Sequence, residues 1–229
     1  AVIYMDGGDT QQALSHLHQS LDYTTTDTLG RVYTLRNIAL LYNRSGNDEA
    51  SEKYMNQALQ EARTSKTPEI LQILFETKGR MAMEDSTKLD SALFFFEKSI
   101  ALSRKQKDVI AVISGLIQVG VIRSDMGLQE HSRQALRKVS DLSEKKQYPF
   151  GIFYGQMGLA LSYLKDKNFE KAQDAIQRVP MDHSLSLSDR LAYHELMDQY
   201  FRETGRFKDA LSERDSIFFY KDSLASASR

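Results

Sequence analysis

Cysteine and tryptophan are absent from the 229 residues, proline occurs three times and glycine twelve. Without cysteine there is no disulfide, no thiolate zinc site and no cysteine nucleophile. Long hydrophobic runs are missing too. Val109–Ile113 and Phe94–Phe96 fall far short of the roughly 20 residues that span a bilayer. Neither sign of charge dominates: Lys and Arg number 30, Asp and Glu 31, for a formal net charge of −1. Bulk attraction to nucleic acid or to an anionic membrane is therefore not expected. The scarcity of proline and glycine, beside 41% hydrophobic and 27% charged residues, favours long helices over many short strands.

What is present is a repeat. A small residue follows each of a series of turns, and Ala13, Ala50, Ala92, His131, Ala172 and Ala210 align at spacings of 37, 42, 39, 41 and 38 residues. The turns read Gly8-Asp-Thr, Gly46-Asn-Asp, Gly127-Leu-Gln, Lys167-Asn-Phe and Gly205-Arg-Phe, with a longer, glycine-free loop from Met83 to Asp90 before Ala92. Glycine past a helix end adopts the left-handed conformation that stops the helix at little cost. The Asp or Asn that follows can accept orphan amides of the next helix.

Apolar residues recur at helical spacing after each turn, as in Ala92, Phe96, Ile100 and Ala172, Ile176, Val179. A second apolar-periodic stretch precedes each turn, so each unit reads as helix–turn–helix. Pro68, Pro149 and Pro180 fall between units and in no helix pattern, where the missing amide is harmless. The pattern predicts an all-α chain of eleven helices. A lone second helix lies near 9–24, and pairs follow near 28–64, 68–106, 108–147, 149–179 and 187–224. Together they form one α-α superhelix over 1–229, about 5.5 repeats.

Asn37-Ile-Ala-Leu-Leu-Tyr42 with Gly46, Ala50 and Tyr54, and Gly158-Leu-Ala-Leu-Ser-Tyr163 with Phe169, Ala172 and Pro180, resemble the tetratricopeptide repeat family. So does Tyr200-Phe-Arg-Glu-Thr-Gly205 with Phe207 and Ala210. The departures are units several residues longer than the usual 34 or so, His131 at a small position, and no tryptophan. Asp209 to Leu224, and Asp90-Ser-Ala-Leu-Phe-Phe-Phe, are similar to the sensor regions of Bacteroides-type signalling and transcription-regulatory proteins. That likeness implies the periplasmic portion of a membrane-anchored protein, with a cytoplasmic region as the alternative. Ala1–Met5 reads as the end of a first helix, and neither end of the array supplies an obvious polar cap, which solenoids need. The expectation is a fragment of a longer chain.

Signatures of catalysis are missing from the sequence, so no enzyme and no cofactor is expected. No phosphate-cradling Gly-x-x-x-x-Gly-Lys motif occurs, and His194-Glu195 is followed by Asp198 where a zinc protease helix needs histidine. His16 and His18 point to different faces of a helix. His131 is expected to be a buried or half-buried spacer, and His183 a solvated loop residue. Gly115, Gly120, Gly155 and Gly158 are expected to permit close helix approach, since glycine otherwise costs helix stability. Phe94–Phe96 and Phe218–Tyr220 are assigned to packing. Arg31, Arg36, Arg44, Arg63 and Lys66 are interspersed with acids and form no stripe for nucleic acid.

The resemblance implies a concave face lined by the first helix of each pair. Carried over unit by unit, it offers Tyr33, Arg36, Leu40 and Asn43, then Ile73, Glu76, Arg80 and Met83, then Ser114, Ile117 and Ser124. It continues with Tyr154, Met157 and Leu161, and ends with Glu195, Gln199 and Arg202. This mixed lining is unlike a basic carboxylate clamp. Its apolar centre, Ile117 to Leu161, suits an amphipathic helix or an extended apolar peptide. The expected partner is thus a protein or peptide in this groove, with contact to neither nucleic acid nor membrane. The alternative is a spacer or homodimerising solenoid without a ligand of its own.

Overall fold

The computed structural model describes residues 10–23, 27–65, 68–181 and 185–227, so Ala1–Met5 and His183 lie outside the described residues. The described residues form eleven α-helices and no strand. They are α1 Thr10–Tyr23, α2 Thr28–Arg44, α3 Asp48–Thr64, α4 Pro68–Met83, α5 Leu89–Lys105 and α6 Val109–Asp125. α7 Gln129–Lys146, α8 Pro149–Lys165, α9 Phe169–Gln177, α10 Leu187–Glu203 and α11 Phe207–Ala227 follow. A 3₁₀ turn, Ser86–Lys88, occupies the long loop before α5. Successive helices pair as antiparallel hairpins, the expected all-α repeat architecture. The chain divides into two compact units, residues 1–115 and 116–229.

Local chemistry explains the hairpin turns. Gly46, Gly127 and Gly205 have φ of +74°, +78° and +76°, the left-handed region where a side chain is unfavourable. Lys167 fills the same role at φ +55° without being glycine. Asn47 and Asn168 then cap α3 and α9, accepting from the amides of Ala50 (3.1 Å) and Lys171 (3.2 Å). Pro68 and Pro149 stand at the first positions of α4 and α8, where the orphan amide they lack is not missed.

In residues 1–115, Val32, Leu35 and Ala39 of α2 pack with Met55, Ala58 and Ala62 of α3 and with Ile70 and Leu74 of α4. In residues 116–229, Leu136 of α7, Phe153, Met157, Ala160 and Leu164 of α8, Ala172 and Ile176 of α9 and Leu196 and Tyr200 of α10 share one core. The glycines sit where helices meet closely. A Cβ on Gly115 would lie 2.5 Å from Ile100, and one on Gly120 or on Gly158 would lie 2.8 Å from Leu136. On Gly155 it would lie 2.7 Å from the Ser140 hydroxyl.

Two of the six small positions need correction. His131 is exposed and Ala50 only half-buried, whereas the residues after them, Ser132 and Ser51, are buried. Their hydroxyls donate across the hairpin to main-chain carbonyls, Ser51 to Ala39 at 2.9 Å and Ser132 to Gly120 at 2.7 Å. The packed series is Ala13, Ser51, Ala92, Ser132, Ala172 and Ala210, at spacings of 38, 41, 40, 40 and 38. A serine serves because its hydroxyl finds an acceptor inside the hairpin, which a buried polar group requires.

Candidate functional site

With this register, residues of different hairpins can be compared directly. Fifteen residues before the small position stand Arg36, Ile117, Met157 and Glu195; eleven before it stand Leu40, Val121, Leu161 and Gln199. The same helical face thus carries different chemistry in successive hairpins.

In residues 1–115 this face is polar. The Arg36 guanidinium donates from Nε to the Thr77 hydroxyl on α4 at 2.9 Å. Burial holds the Arg36 pKa below its ordinary value, and Arg80 lowers it further, while Tyr33 and Glu76 oppose. Arg80 pairs with Glu76 at 3.6 Å. Asn43 donates to the Glu84 carboxylate at 2.5 Å. The structure therefore brings Tyr33, Arg36, Asn43, Glu76 and Arg80 onto neighbouring faces of α2 and α4, with Leu40 half-buried on the same helix as Arg36. Arg80 is thus paired with a carboxylate, whereas Arg36 has a neutral hydroxyl as its bonded partner and a like charge nearby.

In residues 116–229 the face opens into an apolar pocket of about 270 Å³. Ile117 and Val121 come from α6, Leu136 from α7, and Phe153, Met157 and Leu161 from α8. Gly120 and Gly158 lie on Leu136 from opposite helices, so no side chain from either fills the space above it. Phe153 and Met157 are core residues, while Val121 and Leu161 are 40% and 38% exposed at the rim. Lys165 at one end donates to the Ser124 hydroxyl at 2.8 Å.

Tyr154 closes the other side. Its hydroxyl donates to Asp189 Oδ1 at 2.5 Å, tying α8 to the start of α10. Asp189 also accepts from the Ser186 amide (3.0 Å) and hydroxyl (2.7 Å), completing a capping box. Burial and the carboxylate push the Tyr154 pKa up to about 12. Burial alone would raise Asp189, but the bonds from Tyr154 and Ser186 outweigh it and hold the carboxyl below its usual range. Sequence spacing pointed to Tyr154; Asp189 gave a signal only as an N-cap partner, three residues after Ser186.

Glu195, Gln199 and Arg202 line a different and wider cleft, between α10 and α11, of about 830 Å³. Glu195 pairs with Lys221 at 2.9 Å, and Gln199 donates to Glu203 at 2.7 Å. At its base is Asp198, only 3% exposed, paired with Arg202 and with Arg214 Nε 3.8 Å from its Oδ1. Asp198 occupies the register position of Ala39, Gly120 and Ala160, twelve before the small residue. Arg214 occupies that of Met55, Phe96, Leu136 and Ile176, four after it. An ion pair has replaced the small–large apolar contact in this hairpin, and the cleft is polar for that reason.

The aromatic runs divide: Phe96 is fully buried, Phe95 is half-buried beside Phe75, and Phe94, Phe218 and Phe219 are exposed. Among the described residues no group of His, Asp and Glu side chains is arranged to hold a metal ion, and no helix is long and apolar enough to cross a membrane.

Successive helix–turn–helix hairpins of about forty residues, each packed around a small residue, define a tetratricopeptide-like repeat scaffold. Comparison with solved structures gives the same class. BtubC (BKLC) from P. vanneervenii matches with a TM-score of 0.76 and 12% identity over 98% of this chain and 93% of that one. A putative kinesin light chain of Podosopora anserina, with nearly identical TPR-like repeats, matches with a TM-score of 0.62 and 13% identity over 85% of this chain and 96% of that one. The family model of anaphase-promoting complex subunit 5 matches residues 2–84. No curated protein sequence matches the chain. At these identities the likeness is one of fold.

Proposed function

We propose that the chain is a protein-interaction scaffold that holds an apolar segment of a partner, an amphipathic helix or an extended peptide, in the α6–α8 pocket. The observation that carries this reading is the open 270 Å³ apolar cavity between Val121 and Leu161. Part of its wall is core, with Leu136, Phe153 and Met157 buried, and pre-formed apolar clefts with a few polar groups at the edge are what binding sites look like. Binding here involves no chemical step, and nothing in the lining needs a cofactor. The likeness of Asp209–Leu224 to Bacteroides-type sensor regions supports placing the scaffold in a bacterial signalling or transcription-regulatory protein.

Panning a random peptide library on the immobilised protein tests it. Enriched peptides should carry apolar anchors and be retained at least tenfold less by Leu161→Glu and Val121→Glu, two rim residues whose exposure leaves folding intact. No enrichment, or retention indifferent to both substitutions, refutes the pocket as the site.

A second reading has one observation behind it. Phe207, Leu211 and Phe218 are exposed along one face of α11, a stripe that suits self-association in a spacer or dimerisation element. Sedimentation at micromolar concentration separates the two, since a dimer that dissociates on Leu211→Glu favours this alternative.

A further inference from the structure

A basic cavity lies on the other side of α8 from the apolar pocket. Its volume is about 270 Å³, and its wall contains Arg137 of α7, Tyr163 of α8, and Lys171, Asp174 and Arg178 from α9 and its C-cap. Lys171, Asp174 and Arg178 share one helical face, at i, i+3 and i+7. The floor is the buried Gln156, whose amide Nε2 donates one hydrogen to Ser140 at 3.3 Å and has a second to give.

Arg133 next door is neutralised by Glu130 at 3.1 Å and Asp166 at 2.5 Å. Arg137 must share that same Glu130, at 3.1 Å, and its Nη2 donates to the Tyr163 hydroxyl at 3.2 Å. Lys171 stands over the Tyr163 ring, 5.8 Å from its centroid. Among the described residues neither Lys171 nor Arg178 is in an ion pair. Three cations therefore line a concave surface whose wall holds one carboxylate, Asp174, with the shared Glu130 beside Arg137 as the second, and such a surface concentrates the field on whatever enters.

We propose that this cavity binds a phosphoryl group, held between Arg137, Lys171 and Arg178 above Tyr163. Cations approaching from two helices, with an aromatic hydroxyl whose oxygen already accepts from Arg137 and whose proton is left to donate, suit a tetrahedral dianion with several acceptor oxygens. A planar carboxylate has only two oxygens and would leave one cation unused. Arginine in particular matches phosphate through charge-assisted, forked hydrogen bonds. The phosphoryl group can come as free phosphate or as the phosphate ester of a partner's side chain.

Isothermal titration of the chain at constant ionic strength is the test, with inorganic phosphate, O-phosphotyrosine and acetate as probes. The expected result is saturable binding of at least one phosphate probe, with acetate at least tenfold weaker. The Lys171→Gln/Arg178→Gln double variant should lose affinity at least tenfold, while Lys208→Gln on α11 leaves it unchanged. Tighter binding of phosphotyrosine than of inorganic phosphate assigns the site to an ester, and the reverse assigns it to the free ion. Absence of saturable binding by either phosphate probe overturns the proposal, as does acetate binding equally well or an unaltered affinity in the double variant. Because both substituted side chains are exposed, circular dichroism should report an unchanged fold.

Discussion

Tyr33 and Tyr154 stand at the same register position, eighteen residues before Ser51 and Ala172 respectively, yet they live differently. Tyr33 is exposed beside the Arg36–Thr77–Glu76–Arg80 strip of residues 1–115. Tyr154 is half-buried at the edge of an apolar pocket and locked onto Asp189. The same contrast recurs three residues on, where Arg36 corresponds to Met157. Both units build hairpins around a packed small residue, alanine or serine, so these groove positions are not what makes the fold. Their chemistry is free to diverge, and it does so from a charged surface to an apolar one.

A size difference at one buried position separates the hairpin that floors the pocket from the hairpin before it. Phe96 in α5 and Leu136 in α7 both lie four residues after the packed small residue. Phe96 fills its hairpin with a ring that a Cβ on Gly79 would meet at 2.7 Å. Leu136→Phe should therefore erase the contrast. Gly120 and Gly158 already sit tight on Leu136, so the extra volume costs about 1–3 kcal/mol as overpacking, read from urea denaturation. It should also abolish retention of the library-selected peptides. Peptides that bind this variant as well as the natural sequence would mean the pocket is not where they bind.

Tyr154→Phe probes the second difference, with a smaller effect. The lost hydrogen bond has a charged acceptor, and such bonds contribute about 1.5–3 kcal/mol before solvent exposure is discounted. Because Tyr154 is only half-buried, about 1 kcal/mol is the expected loss at neutral pH. The pH dependence has a definite sign. The folded Asp189 carboxyl titrates below its ordinary 3.8, so its stabilisation is present above that value and lost as pH falls through the lower folded one. The Tyr154 hydroxyl is raised from 10.0 to about 12, so its contribution is complete below pH 10 and disappears as pH climbs toward 12. Tyr154→Phe should flatten the stability profile at both ends, as measured by denaturation midpoints. The equivalent Tyr33→Phe, at an exposed position, should change the neutral-pH denaturation midpoint less than Tyr154→Phe does.

How much of this was readable beforehand depends on the physics of each feature. Helix–turn–helix units were legible because their determinants are local: left-handed glycines, Asx caps, proline at helix starts, and apolar periodicity. The two misplaced small residues show where that ends. Matching by residue type chose Ala50 and His131, although counting five residues from the turn, as in Gly205 to Ala210, lands on Ser51 and Ser132. Serine looks polar in a sequence, and only the carbonyls of Ala39 and Gly120 make its burial acceptable. The groove candidates lie on the first helices of their hairpins, but which of them share a cavity depends on long-range packing. Leu136, hidden in a second helix, lines the pocket, and Asp198 with Arg214 lines the polar cleft. Lys171 and Arg178 were invisible as a site because charge balance is a property of neighbours in space.

Arg36→Met is the smallest and most discriminating change to the comparison, since it installs on α2 the residue type that α8 carries at the same register position. The Arg36 guanidinium is partly desolvated, near a like charge at Arg80, and its bond to Thr77 offsets only part of that cost. Methionine keeps the long unbranched stem and removes the charge, and Thr77 keeps its own bond to the Ile73 carbonyl at 2.8 Å. Exchanging a half-buried, imperfectly paired ion for an apolar side chain of similar length is near neutral or mildly stabilising, so the expected change in unfolding free energy is within about 0.5 kcal/mol. Chemical denaturation in urea measures it. A loss well beyond 1 kcal/mol would mean that the polar strip of residues 1–115 holds α2 against α4 as part of the core. The two grooves would then differ in structural role as well as in surface chemistry.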